Sequence, residues 1–276
     1  MKFLCKLDSN QADSQAFVDN LKDSTSFKKT LSSKSDGYTI YQLPVWEDNY
    51  IYMLIDNKTN KTAVIDPGDF DTVQKFLIKN KLRLDYILNT HHHWDHTGGN
   101  LELKKEWGCS IYGFKEDAKR IPGIDFALKE EESLFVGNLS FEVLYVPGHT
   151  LGHIAFWNTE NKILFCGDTI FAMGCGRLFE GSPQQMFDSL RKIKKLPEDS
   201  LIYCAHEYSL KNAKFALRIY PDNKELNQRF KKISQLRSQG KATVPFYLKE
   251  ELLTNPFFLA KTVSEFAKIR KLRDQF

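Results

Sequence analysis

Twelve residues, "NTHHHWDHTGGN" at 89–100, hold four of the chain's seven histidines together with Asp95. The other three are His149 and His153 in "VPGHTLGH" and His206 in "CAHEY", so no histidine lies outside these motifs. Neutral imidazole nitrogens and carboxylate oxygens at this density suit a borderline cation, with Zn, Fe and Mn all compatible. In a tight loop leaving a strand, His91 and His93 point one way while Asp95 and His96 turn toward a second point. Asp168, in "FCGDTIF" at a strand end, is placed to bridge the two points. A lone histidine is more often a satisfied structural residue. His92, which alternates away from its neighbours, and His153, placed to hydrogen-bond locally, are read that way.

Two cations ~3.5–4 Å apart share a water and lower its pKa toward neutrality, so a hydroxide becomes the nucleophile. Asp95 is placed to accept a hydrogen bond from that hydroxide and to orient it, and the cations stabilise the oxyanion of the attacked carbonyl. A thiol with a pKa near ~8.5 leaves readily as thiolate, without a general acid. The sequence offers no other evident acid at the site, which favours a thioester over a peptide.

These side chains must be held by strand ends. "YTIYQLPV" (38–45), "YIYMLIDN" (50–57), "KTAVIDPG" (61–68) and "LDYILNT" (84–90) are β-rich runs closed by turn residues. Helical spacing intervenes at 69–81 and 99–107, and five further strand-like runs follow down to residue 205. From about 207 the periodicity turns helical, ending in "PFFLAKTVSEFAKIRKLRDQF". The expectation is an α/β domain over 38–206, a helical domain over 207–276 and an N-terminal extension over 1–37. Within that extension, "SQAFVDNLKDSTSFKKTL" has the pattern of an amphipathic helix but lacks the arginines of a transit peptide.

The 276 residues are 42% hydrophobic, an ordinary globular composition, and no apolar run approaches the ~20 residues of a membrane helix. Five scattered cysteines without a CxxC pair argue against a disulfide framework or a thiolate zinc site, and for a reducing, cytoplasmic setting. Net charge is +4, but residues 213–276 carry fourteen Lys or Arg against six Asp or Glu, a local +8. That tail has neither a long basic run nor interleaved aromatics, so neither a nucleic-acid nor a membrane partner is expected.

The order T-H-x-H-x-D-H, then P-G-H-T, G-D-T and a final histidine after a strand resembles the metallo-β-lactamase superfamily. Within it, "THHHWDHTGGN", "GDTIFAMGCGRLFEG", "AHEYSLKNAKFA" and "IRKLRDQF" look like the glyoxalase II (hydroxyacylglutathione hydrolase) family over about residues 38–276. The resemblance implies an αββα sandwich with a C-terminal helical domain. It also implies two divalent cations: His91, His93 and His149 hold one, Asp95, His96 and His206 the other, and Asp168 bridges. The implied activity is hydrolysis of the thioester of an S-2-hydroxyacylglutathione by a monomer or weak oligomer. Arg177, Tyr208, Arg270 and Arg273 are then expected to hold glutathione, whose carboxylates match arginine forks. Arg270 and Arg273 stand three apart, on one helix face. Phe179 departs from the family pattern, which often has Tyr there; the aromatic wall is kept but a hydroxyl contact is lost. The competing readings are a phosphodiesterase or RNA-processing nuclease of the same superfamily and a mononuclear-iron persulfide dioxygenase. A binding module on a decayed scaffold is disfavoured by seven intact ligand positions.

Overall fold

Thr30 to Phe276 are the residues described by the computed structural model. Val-, Ile- and Tyr-rich segments suit a pleated surface buried on both faces, and they form two sheets. The first runs in the order β1 (Thr30–Lys34), β2 (Tyr38–Val45), β3 (Asn49–Asp56), β4 (Thr62–Ile65), β5 (Tyr86–Leu88), β6 (Ser110–Phe114) and β7 (Phe126–Leu128). Pairing is antiparallel from β1 to β4 and parallel from β4 to β7. The second contains β8 (Ser133–Val136), β9 (Leu139–Tyr145), β10 (Ile154–Asn158), β11 (Ile163–Gly167), β14 (Leu201–Cys204) and β15 (Phe246–Tyr247). A separate two-stranded hairpin pairs β12 (Ile170–Phe171) with β13 (Gly174–Cys175).

Period-two alternation sorts the side chains into two apolar layers. On β3, Tyr50, Tyr52 and Leu54 join Phe141, Phe156 and Phe165 between the sheets, whereas Ile51 and Met53 pack with Val73, Phe76 and Leu103 beneath the outer helices. Those helices are α1 (Phe70–Asn80), capped by the Asp69 side chain on Thr72 N, and α3 (Asn100–Trp107); a single turn, α2 (Trp94–Thr97), precedes α3. Two tyrosine hydroxyls cross the sandwich from β3: Tyr52 donates to Cys204 O at 2.5 Å and Tyr50 to the Glu207 carboxylate at 2.9 Å.

Behind the second sheet lie α4 (Pro183–Ile193), α5 (Ser209–Ile219), α6 (Lys224–Ser238), α7 (Leu248–Thr254), α8 (Pro256–Leu259) and α9 (Val263–Asp274). Ser182 and Gln185 form a capping box at the start of α4. Phe257, Phe258, Phe266 and Ile269 belong to the same apolar cluster as the inter-sheet residues, so the C-terminal helices share the core. The architecture is the expected αββα sandwich with a helical C-terminal region. One difference lies at the start: Thr30–Lys34 pairs with β2, so the first sheet includes residues assigned from sequence to the extension. The helix expected from Ser14 lies outside the described residues through residue 29.

Candidate metal centre

Four strand ends and the loops after them deliver the seven expected ligands to one place. His91, His93, Asp95 and His96 follow β5, His149 precedes β10, Asp168 follows β11 and His206 follows β14. Three groups emerge whose ligand atoms lie within 4.8 Å of one another: His91/His93/His149, His91/His96/Asp168 and Asp95/His96/His206. His91 Nε2 and His149 Nε2 each lie 3.1 Å from His93 Nδ1. His96 Nε2 lies 3.4 Å from Asp95 Oδ2 and 3.5 Å from Asp168 Oδ1; His206 Nε2 lies 3.5 and 3.4 Å from the same two oxygens. Asp168 reaches the other cluster through Oδ2, 3.4 Å from His149 Nε2.

Hydrogen bonding behind the rings fixes where their protons sit. Thr90 Oγ1 donates to Asp66 Oδ2 at 2.7 Å, so at 3.1 Å it can only accept from His91 Nδ1, leaving a lone pair on His91 Nε2. His149 Nδ1 donates to the Arg177 carbonyl at 2.8 Å and His206 Nδ1 to Asp48 Oδ1 at 2.9 Å. His96 Nδ1 lies 3.0 Å from Asp66 Oδ2, an ion-pair contact without a well-aligned hydrogen bond. The Nε2 atoms of all four rings face inward at another ring nitrogen or at carboxylate oxygens. One proton on His93 Nδ1 answers only one of the two nitrogens facing it, and His96 Nε2 and Asp168 Oδ1 are buried without a hydrogen-bond partner. Acceptors converging on acceptors need positive charge between them, and the donor set of imidazole nitrogen and carboxylate oxygen fits divalent cations.

Electrostatics divides the cluster. Burial, and then neighbouring histidines, push His91 well below the usual imidazole range and His93 down to about 4, so both are neutral ligands near pH 7. Burial also opposes charge on His96 and His206. The carboxylates outweigh it: Asp66 and Asp168 raise His96, while Asp168 and Asp48 raise His206 to about 9. These shifts register how strongly that half of the site draws positive charge. Burial would raise Asp95, but contacts with His96 and Asn49 bring it down to about 2, so it is ionised.

His92 and His153 stay outside the ligand cluster, as read from the sequence. His92 faces Asp117 at 3.1 Å. His153 stacks on His91 with ring centroids 4.6 Å apart, accepts the Asp168 N–H at Nε2 and contacts Thr169 Oγ1 through Nδ1. It thus holds the Asp168 backbone. At Gly176, a Cβ would lie 2.0 Å from Asp168 O and 3.0 Å from His149 Cβ, which explains the second glycine of "GCG".

The residues expected to hold substrate form one wall, but unevenly. Phe179 is exposed and sets its ring edge-to-face against His93 and His149, with the Arg177 guanidinium 5.5 Å above it. Tyr208 stacks on His206 at 4.8 Å. Arg273 is half-buried and donates to Asn212 Oδ1 at 3.0 and 3.2 Å. Arg270 is more deeply placed than Arg273. It is 6% exposed and donates to Cys175 O at 2.8 Å, Gly176 O at 3.4 Å and Asp274 Oδ1 at 3.0 Å. The reason is packing: its guanidinium lies over Phe257, 5.1 Å from the ring centroid, within the core that the C-terminal helices share. Asp48, Asn49 and Asp66 were missed from sequence. Asp66 and Asp48 sit in turn-like contexts ("VIDPG", "WEDN") that mask a role behind the histidines.

Models of the metallo-beta-lactamase superfamily and of the hydroxyacylglutathione hydrolase C-terminus match residues 46–206 and 207–276. Among solved structures, ETHE1 from Myxococcus xanthus shares the fold with a TM-score of 0.63 at 23% identity, covering 90% of this chain and 90% of that one. BLEG-1 B3 metallo-beta-lactamase does so with a TM-score of 0.61 at 22% identity, covering 80% of this chain and 100% of that one. The fold is that of the metallo-β-lactamase superfamily, whose model matches more than half of the chain. A hydroxyacylglutathione hydrolase of Methylococcus capsulatus is 47% identical over 251 residues, 86% of this chain and 98% of its own. Another, from Pelagibacter ubique, is 44% identical over 230 residues, 83% of this chain and 96% of its own. The chain belongs to the hydroxyacylglutathione hydrolase family.

Proposed function

We propose that the protein hydrolyses the thioester of S-2-hydroxyacylglutathione, taking S-D-lactoylglutathione to D-lactate and glutathione. The carrying observation is the convergence of seven ligand-type side chains beside a wall of Phe179, Arg177 and Tyr208, in a chain whose two parts match the metallo-beta-lactamase superfamily and the hydroxyacylglutathione hydrolase C-terminus. His91, His93 and His149 would hold one divalent cation and Asp95, His96 and His206 a second, with Asp168 shared and zinc, iron or manganese compatible with the donors. Such ions supply an activated water and polarise the thioester carbonyl.

The chain's own groups do the rest. Asp95, ionised and oriented by Asn49 Nδ2 at 3.1 Å, is placed to accept a hydrogen bond from the attacking hydroxide and direct its lone pair. The departing thiolate needs no protein acid. Phe179 forms the apolar wall beside the two clusters, and Arg177 and Arg273 offer positive charge to glutathione's carboxylates; Arg270 supports that wall from behind. No cysteine competes as nucleophile among the described residues: burial raises the Cys166 and Cys204 thiols and pushes Cys109 and Cys175 up to about 11. The buried, unpaired state of these four cysteines supports a cytoplasmic setting. Among the described residues no helix is long and apolar enough to cross a membrane.

The test is steady-state hydrolysis of S-D-lactoylglutathione beside a phosphodiester and a β-lactam, with elemental analysis of the same sample. Selective thioester turnover with close to two transition-metal ions per chain is the expected result. Preference for the phosphodiester, or a stoichiometry that stays at one after reconstitution, would reject the reading.

A further inference from the structure

We propose that the C-terminal helices act on the metal centre by clamping the hairpin of residues 171–176, with Asn255 as the principal positioning residue. This rests on the two-cation reading above.

The hairpin stands between two working groups. Asp168 lies three residues before it, and Arg177, whose carbonyl holds the His149 Nδ1 proton, follows it directly. Its own pairing is short: each strand has two residues, and Met173 at the turn sits at φ 53° without being glycine, while Phe171, Ala172, Met173 and Cys175 are buried in the apolar core.

Every residue from 171 to 176 is bonded through its backbone to a side chain from the C-terminal helical region. Asn255, fully buried between α7 and α8, points its Nδ2 at Phe171 O (3.3 Å) and Gly174 O (2.9 Å). Asn212 on α5 donates to Ala172 O at 3.1 Å. Glu251 on α7 accepts the Met173 N–H at 2.8 Å, and Arg270 on α9 donates to Cys175 O and Gly176 O. The clamp is itself braced. Glu251 Oε2 also contacts Asn255 Nδ2 at 2.8 Å, its Oε1 pairs with buried Arg229, and Asn255 Oδ1 accepts the Phe257 N–H. A buried carboxylate and two buried cations are costly to desolvate, so their use on one six-residue segment is informative.

Three substitutions in the full chain separate positioning from general stability: Asn255→Ala, Asn212→Ala, and Ile233→Ala as a destabilised control in the buried face of α6. The probe is Zn2+, titrated into metal-free protein against a chromophoric chelator, with folding checked by circular dichroism and amide exchange followed at residues 171–176. Losing support behind a ligand costs about 10- to 100-fold in metal affinity. That loss is expected for Asn255→Ala, with a smaller one for Asn212→Ala, faster exchange across 171–176 in both, and neither effect in Ile233→Ala. Should Asn255→Ala not fold, Asn212→Ala decides alone. Wild-type zinc affinity and exchange in the folded Asn variants, or an equal loss in Ile233→Ala, overturns the clamp. A wild-type chain that fails to bind two zinc ions rejects the two-cation reading instead.

Discussion

The histidine cluster and the arginine-bearing wall beside it face the same space and are built in opposite ways. The cluster draws four of its seven positions from the loop after β5 and the turn α2, buries five of the seven residues and fixes ring orientation through Asp48, Asp66, Thr90 and a backbone carbonyl. The wall is assembled from residues 177, 179, 208 and 273 with Arg270 behind it; Arg270 and Arg273 donate to protein oxygens, and Arg177 lies 4.0 Å from the Asp274 carboxylate. Where chemistry needs fixed geometry, rigid support stands behind the side chain. Where it needs a charged surface to receive a flexible peptide, exposure is tolerated and charge is shared.

The largest expected effect sharpens that contrast at its centre. Asp168→Ala removes the carboxylate that touches both histidine groups, so, on the proposed two-cation reading, transition-metal content should fall well below that of the unchanged chain and kcat/KM by about 10³-fold or more. Retention of both ions would show that the two groups are independent. Asp66→Ala comes next, since Asp66 contacts His96 Nδ1 and receives both Thr90 hydrogen bonds. A chelator competition should show metal affinity weakened about 10- to 100-fold, with the ligands themselves intact.

On the wall, Arg270→Ala and Arg177→Ala should part company. Burial and two backbone carbonyls make Arg270 structural, so its loss should cost about 1–3 kcal/mol in denaturant unfolding. Arg177 has a side chain 63% exposed, so its loss should leave stability unchanged and raise KM for a glutathione thioester only a few-fold, about what ~1 kcal/mol allows. Equal unfolding midpoints for the two variants would break the distinction drawn here. The smallest effect is Phe179→Tyr, which adds a hydroxyl on an exposed ring: KM should drop by about twofold with kcat nearly unchanged. No change on a glutathione thioester would mean that the ring serves only as apolar wall.

The same contrast explains what was legible in the sequence. Ligand chemistry depends on residue types that are few and local, so His91, His93, Asp95, His96, His149, Asp168 and His206 could be picked out and now stand together. The strands 38–45 and 50–57 and the helices near 69–81 and 99–107 followed from periodicity, and they lie within a residue or two of those bounds. Asn212 and Asn255 could not be seen, because an asparagine in a helical region announces nothing until the backbone it serves is in place. The burial of Arg270 could not be seen for a related reason: only the arrival of Phe257 and the 171–176 hairpin makes it favourable. Thr30–Lys34 was assigned to the extension because its short Ser/Lys composition carries little strand signal, and pairing with β2 supplied the rest.

The two tyrosine hydroxyls that cross the sandwich carry information that the apolar pattern of β3 lacks. Residues 50–56 of that strand are all buried, so sliding it by one position would exchange one greasy face for another at little hydrophobic cost. Most half-exposed strands find their alignment through oil and water. Here Tyr50 and Tyr52 do it: each meets its acceptor across the sandwich in one alignment only, and a slip would strand both hydroxyls in the interior. Asp48 and Asn49 sit at the head of the same strand, so the bonds that index it also set how deep the partners of His206 and Asp95 reach. The aim of those two ligands is thus decided by phenolic oxygens that never touch them.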